Sequence, residues 1–289
     1  LQRPAMRFFR FAASKTFMIH NEVKINERQQ KMDLGQHSAV YNMLSLGIAS
    51  MLFTSIFLWF ARERVLPKYR MAVMVSATVT SIAAYHYFRM FDSFNAAYGP
   101  QATTQTGFDH YNVGYRYVDW FLTVPLLLVE LVAVLGLARA VQSSLLKRLV
   151  PAAALMIILG FPGDTKMNVF YEGDAGLWGA LSTIPFLYIM YVLFVEISKS
   201  LSAQSPKVQG LLKGARLLLI ATWGVYPITF ILAMGTNDAP SFQEVVNREV
   251  GYSIADILAK CVFGLIIFTV ARIKSAEESK EFAAAELRD

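Results

Sequence analysis

The stretch GYSIADILAKCVFGLIIFTVAR, Gly251–Arg272, decides the fold. It is long and apolar enough to cross a bilayer as one helix, which takes about 20 residues, yet it holds Asp256 and Lys260. Side chains four apart on a helix stand one turn above each other, so the carboxylate and the amine share a face. Ionisable groups inside a span are expensive, and by default they mark a functional site. A buried lysine can lose its proton and condense with an aldehyde to give a Schiff base. On this stretch alone, an internal ion pair is an equally open explanation.

The rest of the chain has the composition of a membrane protein. Its 289 residues are 55% hydrophobic and 13% aromatic, too apolar for a water-soluble domain of this size. Apolar runs of spanning length lie near 36–61, 70–95, 111–138, 148–163, 175–197, 210–234 and 247–271, so the expected fold is an all-α bundle of seven transmembrane helices. The fourth run is short and bracketed by Pro151 and Pro162. Arg62, Arg64, Lys68 and Arg70 follow the first run; Arg139, Lys147, Arg148, Lys199, Lys207, Lys213 and Arg216 follow the third and fifth. The other connections are richer in acids, from Asp92 and Asp109 to Glu244 and Glu249. The positive-inside rule then puts the N-terminus outside and the C-terminus in the cytoplasm. The net charge of +6 is a topology signal and gives no reason to invoke nucleic acid. One cysteine, Cys261, excludes an internal disulfide and a cysteine-based metal cluster. Helical spacing turns it away from Lys260, as a lipid or packing contact.

Residues 1–32 fit this topology poorly. Arg3, Arg7, Arg10 and Lys15 alternate with aromatics, as in interfacial helices and targeting segments. A processed remnant, a surface helix and a loosely attached tail all stay open. The second span carries His86 deep in an apolar run; a lone histidine there is ordinarily a packed one, unless a charged partner faces it. The third span, YRYVDWFLTVPLLLVELVAVL, supplies such a partner, since it places Arg116, Asp119, Thr123 and Glu130 on one helix. Asp119 and Glu130, eleven positions apart, return to nearly one face about 16 Å apart along the axis. That is the spacing of proton stations either side of a central group. Pro125 removes a backbone hydrogen bond and is expected to kink the helix.

On the fifth span Trp178, Ser182 and Phe186 are in helical phase, and Gly179 withholds a side chain beside them. Close helix packing is the plain reading of such a glycine; a gap for a second apolar ligand is the sharper one. The sixth span aligns Trp223, Tyr226, Pro227 and Phe230 at i, i+3, i+4 and i+7 as an aromatic wall. Such stripes are usually core, but a flat conjugated ligand between Trp120 and Trp223 explains this one equally well. No dinucleotide fingerprint, P-loop or metal-ligand spacing occurs. The run after residue 272 is charged and reads as a solvated helix continuation or tail over 273–289, which leaves 33–272 as the membrane domain.

RYVDWFLTVPLLLVEL, WGVYP and SIADILAK together resemble the microbial (type I) rhodopsins, and within them the proteorhodopsin and xanthorhodopsin branch. The likeness runs from about Asp33 to Ala271. It implies that Lys260 carries all-trans retinal as a protonated Schiff base, with Asp119 as counterion and proton acceptor and Asp256 as second counterion. Arg116 matches the arginine coupled to the release side, and Glu130 the proton donor. With Thr123 between them, the acids give the signature of an outward proton pump. Glu130, in an apolar stretch, is expected to sit protonated until needed. His86 matches a histidine that hydrogen-bonds the acceptor, so the two should titrate together.

The resemblance further implies a retinal pocket of Tyr87, Trp120, Val124, Leu127, Met156, Gly179, Ser182, Thr183, Phe186, Trp223, Tyr226, Pro227, Phe230 and Ala259. Leu127 sits at the colour-tuning position and implies green absorption. Gly179 matches a glycine that opens a window for a carotenoid antenna in xanthorhodopsin-like members. The family's partners are the lipid bilayer and protons, with a homo-oligomer, trimer or pentamer, as the expected assembly. Phe230, Gly179 and Arg248 depart from the haloarchaeal pumps; Arg248 stands where one of their release-group glutamates would be, so their release pair is not carried over. The resemblance thus implies a light-driven ion translocator in a cell membrane and not an enzyme. A photosensor acting through a partner is the alternative, and the carboxylate at Glu130 argues against it. A sodium pump or a chloride pump would lack the carboxylate at Asp119.

Overall fold

The computed structural model describes residues 32–99, 111–163, 175–234 and 241–286. The described residues are helical, with short 3-10 and π segments and no strand. Helix α1 is Leu34–Ala61, α2 Pro67–Tyr98, α3 Gly114–Val134 and α4 Arg139–Gly160. Helix α5 opens at Ala175–Tyr191, loosens into the π segment Val192–Glu196 and closes with Ile197–Leu201. Helix α6 is Pro206–Met234. Helix α7 runs Phe242–Asp256, then the π segment Ile257–Val262, then Phe263–Glu278, and a short α8, Lys280–Glu286, follows. Seven of these units are long and apolar enough to cross a membrane.

Local sequence explains where the helices begin. Asp33 accepts from the Gln36 amide at 2.8 Å while the Gln36 side chain accepts from the Asp33 amide, a reciprocal cap that satisfies otherwise orphaned donors. Ser241 and Glu244 repeat the device at the start of α7. Pro67 opens α2 at a position where its missing N–H is harmless. Gly136, at φ +67°, turns the chain out of α3, a conformation that side chains resist.

Consecutive helices pack side by side, and α7 closes the ring by touching α1, α2, α3 and α6. In α3 and α7, 61% of the apolar window is buried, against 22% in α4, so those two helices form the interior seam. That burial explains why charges on them matter most.

Several boundaries differ from the sequence reading. Helix α4 starts at Arg139, so Arg139, Lys147 and Arg148 lie on its first turns and the fourth span is not short. Lys207, Lys213 and Arg216 likewise belong to α6. A helix end outside the hydrocarbon tolerates such long basic side chains. Helix α7 passes residue 272: Lys274 and Ser275 are buried, and Ser275 Oγ accepts from the Leu66 amide at 2.9 Å, which holds this turn in the bundle. Within the basic N-terminal segment only Met32 is described. Cys261 is a packing contact, buried with its Sγ 3.3 Å from Met51 Sδ on α1.

Candidate functional site

At the seam between α3 and α7 six charged side chains meet, all but Arg248 with almost no exposure. Lys260 Nζ lies 2.5 Å from Asp119 Oδ2 and 3.1 Å from Asp256 Oδ1. Arg116 donates to Glu249 Oε2 at 2.6 Å and reaches Asp256 Oδ2 at 3.4 Å. Arg248 Nε lies 3.3 Å from Glu249 Oε1. Three cations thus face three carboxylates, so the cluster is formally balanced. Buried charges demand such pairing, since removing them from water costs several kcal/mol per ion, roughly, before partners are counted.

The two carboxylates beside Lys260 are held differently. Asp256 accepts from Tyr226 at 2.7 Å, Tyr87 at 2.9 Å and Trp120 at 3.3 Å, besides Arg116 and Lys260. Asp119 receives only Lys260, and its Oδ1 has no hydrogen-bond partner among the described residues. The hydrogen bond expected from His86 is not formed. His86 Nδ1 stands 4.0 Å from Asp119 Oδ1 and engages the Ile82 carbonyl of its own helix at 3.0 Å, which diverts the ring nitrogen. Thr123, one turn along from Asp119, donates to the Asp119 carbonyl at 2.7 Å.

Glu130 is fully buried further along α3, where Ser76 of α2 donates to its Oε2. Among the described residues its Oε1 has no partner and no cation pairs with it. At the opposite end of the seam Tyr111 donates to Glu249 Oε2 at 2.7 Å. Burial, with Glu249 adding to it, pushes the Tyr111 phenol well above its usual range, so it remains a donor.

Next to Lys260 is a cavity of about 350 Å³, within the roughly 300–1,000 Å³ of small-molecule sites. Of the expected pocket residues, Trp120, Val124, Leu127, Met156, Gly179, Ser182, Thr183, Phe186, Trp223, Tyr226, Pro227 and Ala259 line it. Tyr87 does not; its hydroxyl is spent on Asp256, with the ring buried against α1. The Phe230 side chain lies outside the described residues. Among the described residues, Lys260 and Asp256 are the only amine and carboxylate in the lining. An apolar slot walled by two tryptophans and closed by a lysine fits a long, flat, apolar aldehyde.

Glu249, Ser76 and two further lining residues of the cavity, Tyr117 and Tyr252, are additions that sequence reasoning does not supply. Glu249 and Tyr252 stand seven and four positions before Asp256, in helical phase with it, and that phase is the available signal. On sequence alone Glu249 reads as a charge near a connection. Ser76 is brought to Glu130 by tertiary packing, for which the linear sequence holds no signal.

An apolar pocket ending in a lysine inside a seven-helix bundle defines a class, and comparison with known proteins gives the family. Residues 38–274 match the bacteriorhodopsin-like protein family, and the chain belongs to it. The green-light absorbing proteorhodopsin of Gamma-proteobacterium EBAC31A08 is 31% identical over 226 residues, covering 77% of this chain and 82% of that one. Bacteriorhodopsin of Halobacterium salinarum is 30% identical over 209 residues, covering 72% and 76%. Among solved structures, xanthorhodopsin, described as a light-driven ion pump with dual chromophore, superposes with a TM-score of 0.78 at 48% identity, covering 86% of this chain and 97% of that one. A thermophilic rhodopsin gives 0.78 at 41% identity, covering 86% and 98%. The protein is an integral, multi-pass membrane protein.

Proposed function

We propose that the protein is a light-driven outward proton pump that carries all-trans retinal as a Schiff base on Lys260, with its N-terminus outside and its C-terminus in the cytoplasm. The observation that carries this reading is the asymmetry of the two carboxylates at Lys260. Asp256 has five donors and stays in place as a fixed anion, whereas Asp119 has a single donor at 2.5 Å and an oxygen without a partner among the described residues. Retinal bound there supplies absorption of visible light and a light-driven change of shape.

The protein's own groups do the rest. Asp119 Oδ2 is the receiving atom for a proton that leaves Lys260 Nζ, over a distance at which transfer needs no bridging group. Asp256, held by Tyr87, Tyr226 and Trp120, keeps compensating charge beside that nitrogen while Asp119 is neutral. Arg116, bonded to both Asp256 and Glu249, links the counterions to the outward half of the seam. Glu130, paired with Ser76 on the other side of Lys260, is the inward reservoir from which the nitrogen regains its proton. Carboxylic groups on both sides of one nitrogen make a one-way path once access alternates.

Xanthorhodopsin is described as having a dual chromophore, and the geometry of α5 supports the same reading here. Gly176, Ala180 and Thr183 line the cavity and are also exposed on the outer face of α5, next to Gly179. A carotenoid on this face would approach the pocket past small residues. Hydroxylated carotenoids added to the retinal-loaded protein should show energy transfer in the excitation spectrum, and Gly179→Trp should remove it.

The central test is illumination of unbuffered cells that express the protein with retinal. Outward pumping predicts external acidification that a protonophore abolishes. A bleachable visible band without any pH change would refute the pump and leave the photosensor.

A further inference from the structure

Among the described residues, Glu130 has no open route to the cytoplasmic end of the bundle. Leu131 and Val134 of α3, Leu135 at its C-terminal cap, and Val270 and Ala271 of α7, all at 1% exposure or less, belong with Tyr69 of α2 to one buried apolar cluster at this end. Proton uptake by Glu130 must therefore open this plug.

At its outer edge is an arrangement that the pumping scheme does not use. The Leu135 carbonyl, at the end of α3, is one of the acceptors that a helix terminus leaves without an internal partner. It accepts from Lys274 Nζ of α7 at 2.8 Å and from Gln204 Nε2, in the connection between α5 and α6, at 3.4 Å. Lys274 is 6% exposed, and its ammonium also stands 5.1 Å from the centre of the Tyr69 ring. Tyr69 is in turn tied to Glu278 of α7 by a 2.5 Å hydrogen bond. Gly136 completes the corner, for a Cβ there would lie 3.4 Å from both Lys274 Nζ and Tyr69 OH. Leu135 is five positions on from Glu130, about 7.5 Å of helix.

We infer that Lys274 and Gln204 form a latch on the Leu135 carbonyl that holds the cytoplasmic entrance to Glu130 shut, with Lys274 the strong half and Gln204 the weak half. The distances assign the halves: the charged donor at 2.8 Å is the strong bond, and the amide at 3.4 Å is near the limit of one. Outward displacement of the α5–α6 connection breaks the weak bond first, and opening is complete only when the strong bond to Lys274 also yields. Both residues act through the position of α3 and touch no transferred proton, so they are positioning residues.

This inference rests on the proposed pump, and the test keeps the two apart. In the retinal-loaded protein in nanodiscs, proton release and uptake are followed after a flash with a pH-indicator dye. Lys274→Met should take up its proton about tenfold faster, the factor set by losing a hydrogen bond from a charged donor, with the release phase unchanged. Gln204→Leu should give a smaller acceleration, and Lys274→Arg should return uptake toward the parent rate, which loss of packing alone would not do. Unchanged or slower uptake in both Lys274→Met and Gln204→Leu overturns the latch. If Lys274→Met forms no visible band, Gln204→Leu decides alone. A parent protein that takes up no proton refutes the pump itself, and the latch with it.

Discussion

Gly47 on α1 tests the geometry around Asp256 from outside the charged cluster. A methyl group placed on its Cα would lie 3.3 Å from Cγ of Tyr87 and closer still to Cδ1 and Cε1 of the same ring. Carbon atoms rest about 3.5–4.0 Å apart, so the ring must shift. It has no room to do so freely, because Tyr87 has 0% exposure and its hydroxyl is bound to Asp256 at 2.9 Å. Overpacking of this kind costs about 1–3 kcal/mol, and losing a hydrogen bond to a carboxylate costs about 1.5–3 kcal/mol. Alanine returns about 1 kcal/mol through its better helix propensity. Gly47→Ala should therefore lose about 3 kcal/mol net. The assay is thermal loss of the visible band in retinal-loaded protein, with Gly214→Ala as control, since a Cβ at Gly214 meets nothing within 4 Å. Repeating Gly47→Ala in a Tyr87→Ala background isolates the clash, because its cost should then disappear. Equal stability of Gly47→Ala and Gly214→Ala would refute the claim that Tyr87 is wedged between α1 and Asp256.

Two further substitutions probe the ends of the proton path. Glu249→Gln removes the nearest anion from a buried guanidinium, so it should destabilise the protein by about 3–5 kcal/mol; thermal inactivation no different from the parent would show that Arg116 does not depend on this partner. Glu130→Gln keeps the shape and the contact with Ser76 but cannot give up a proton, so recovery of the dark state after a flash should slow by about a hundredfold or more, and an unchanged recovery would remove Glu130 from the donor role.

The residues legible in the sequence are those whose burial is costly. A carboxylate or amine in an apolar run has no cheap explanation, and for that reason Asp119, Glu130, Asp256 and Lys260 stand out from the amino-acid pattern alone. Lys274 and Glu249 are also buried, but each stands beside other charges near the end of an apolar run, where a solvated position is the cheaper reading. Their burial is a tertiary property: the Leu135 carbonyl in one case and the Arg116 guanidinium in the other make it tolerable.

The π segment Ile257–Val262 is equally hidden, since nothing in its composition separates it from ordinary helix. Its position is informative all the same. A π turn widens the helix and interrupts the regular hydrogen-bond ladder, at a cost that recurs mostly at functional sites. Here it encloses Lys260 while Asp256 stays on the regular turn before it, and the two, four positions apart, still lie 3.1 Å from each other. The distances show which partner gains: Nζ lies closer to Asp119 on the neighbouring helix than to Asp256 on its own. A lysine held only to pair with Asp256 would have no need of that irregular turn. One whose nitrogen must reach a carboxylate on the neighbouring helix does.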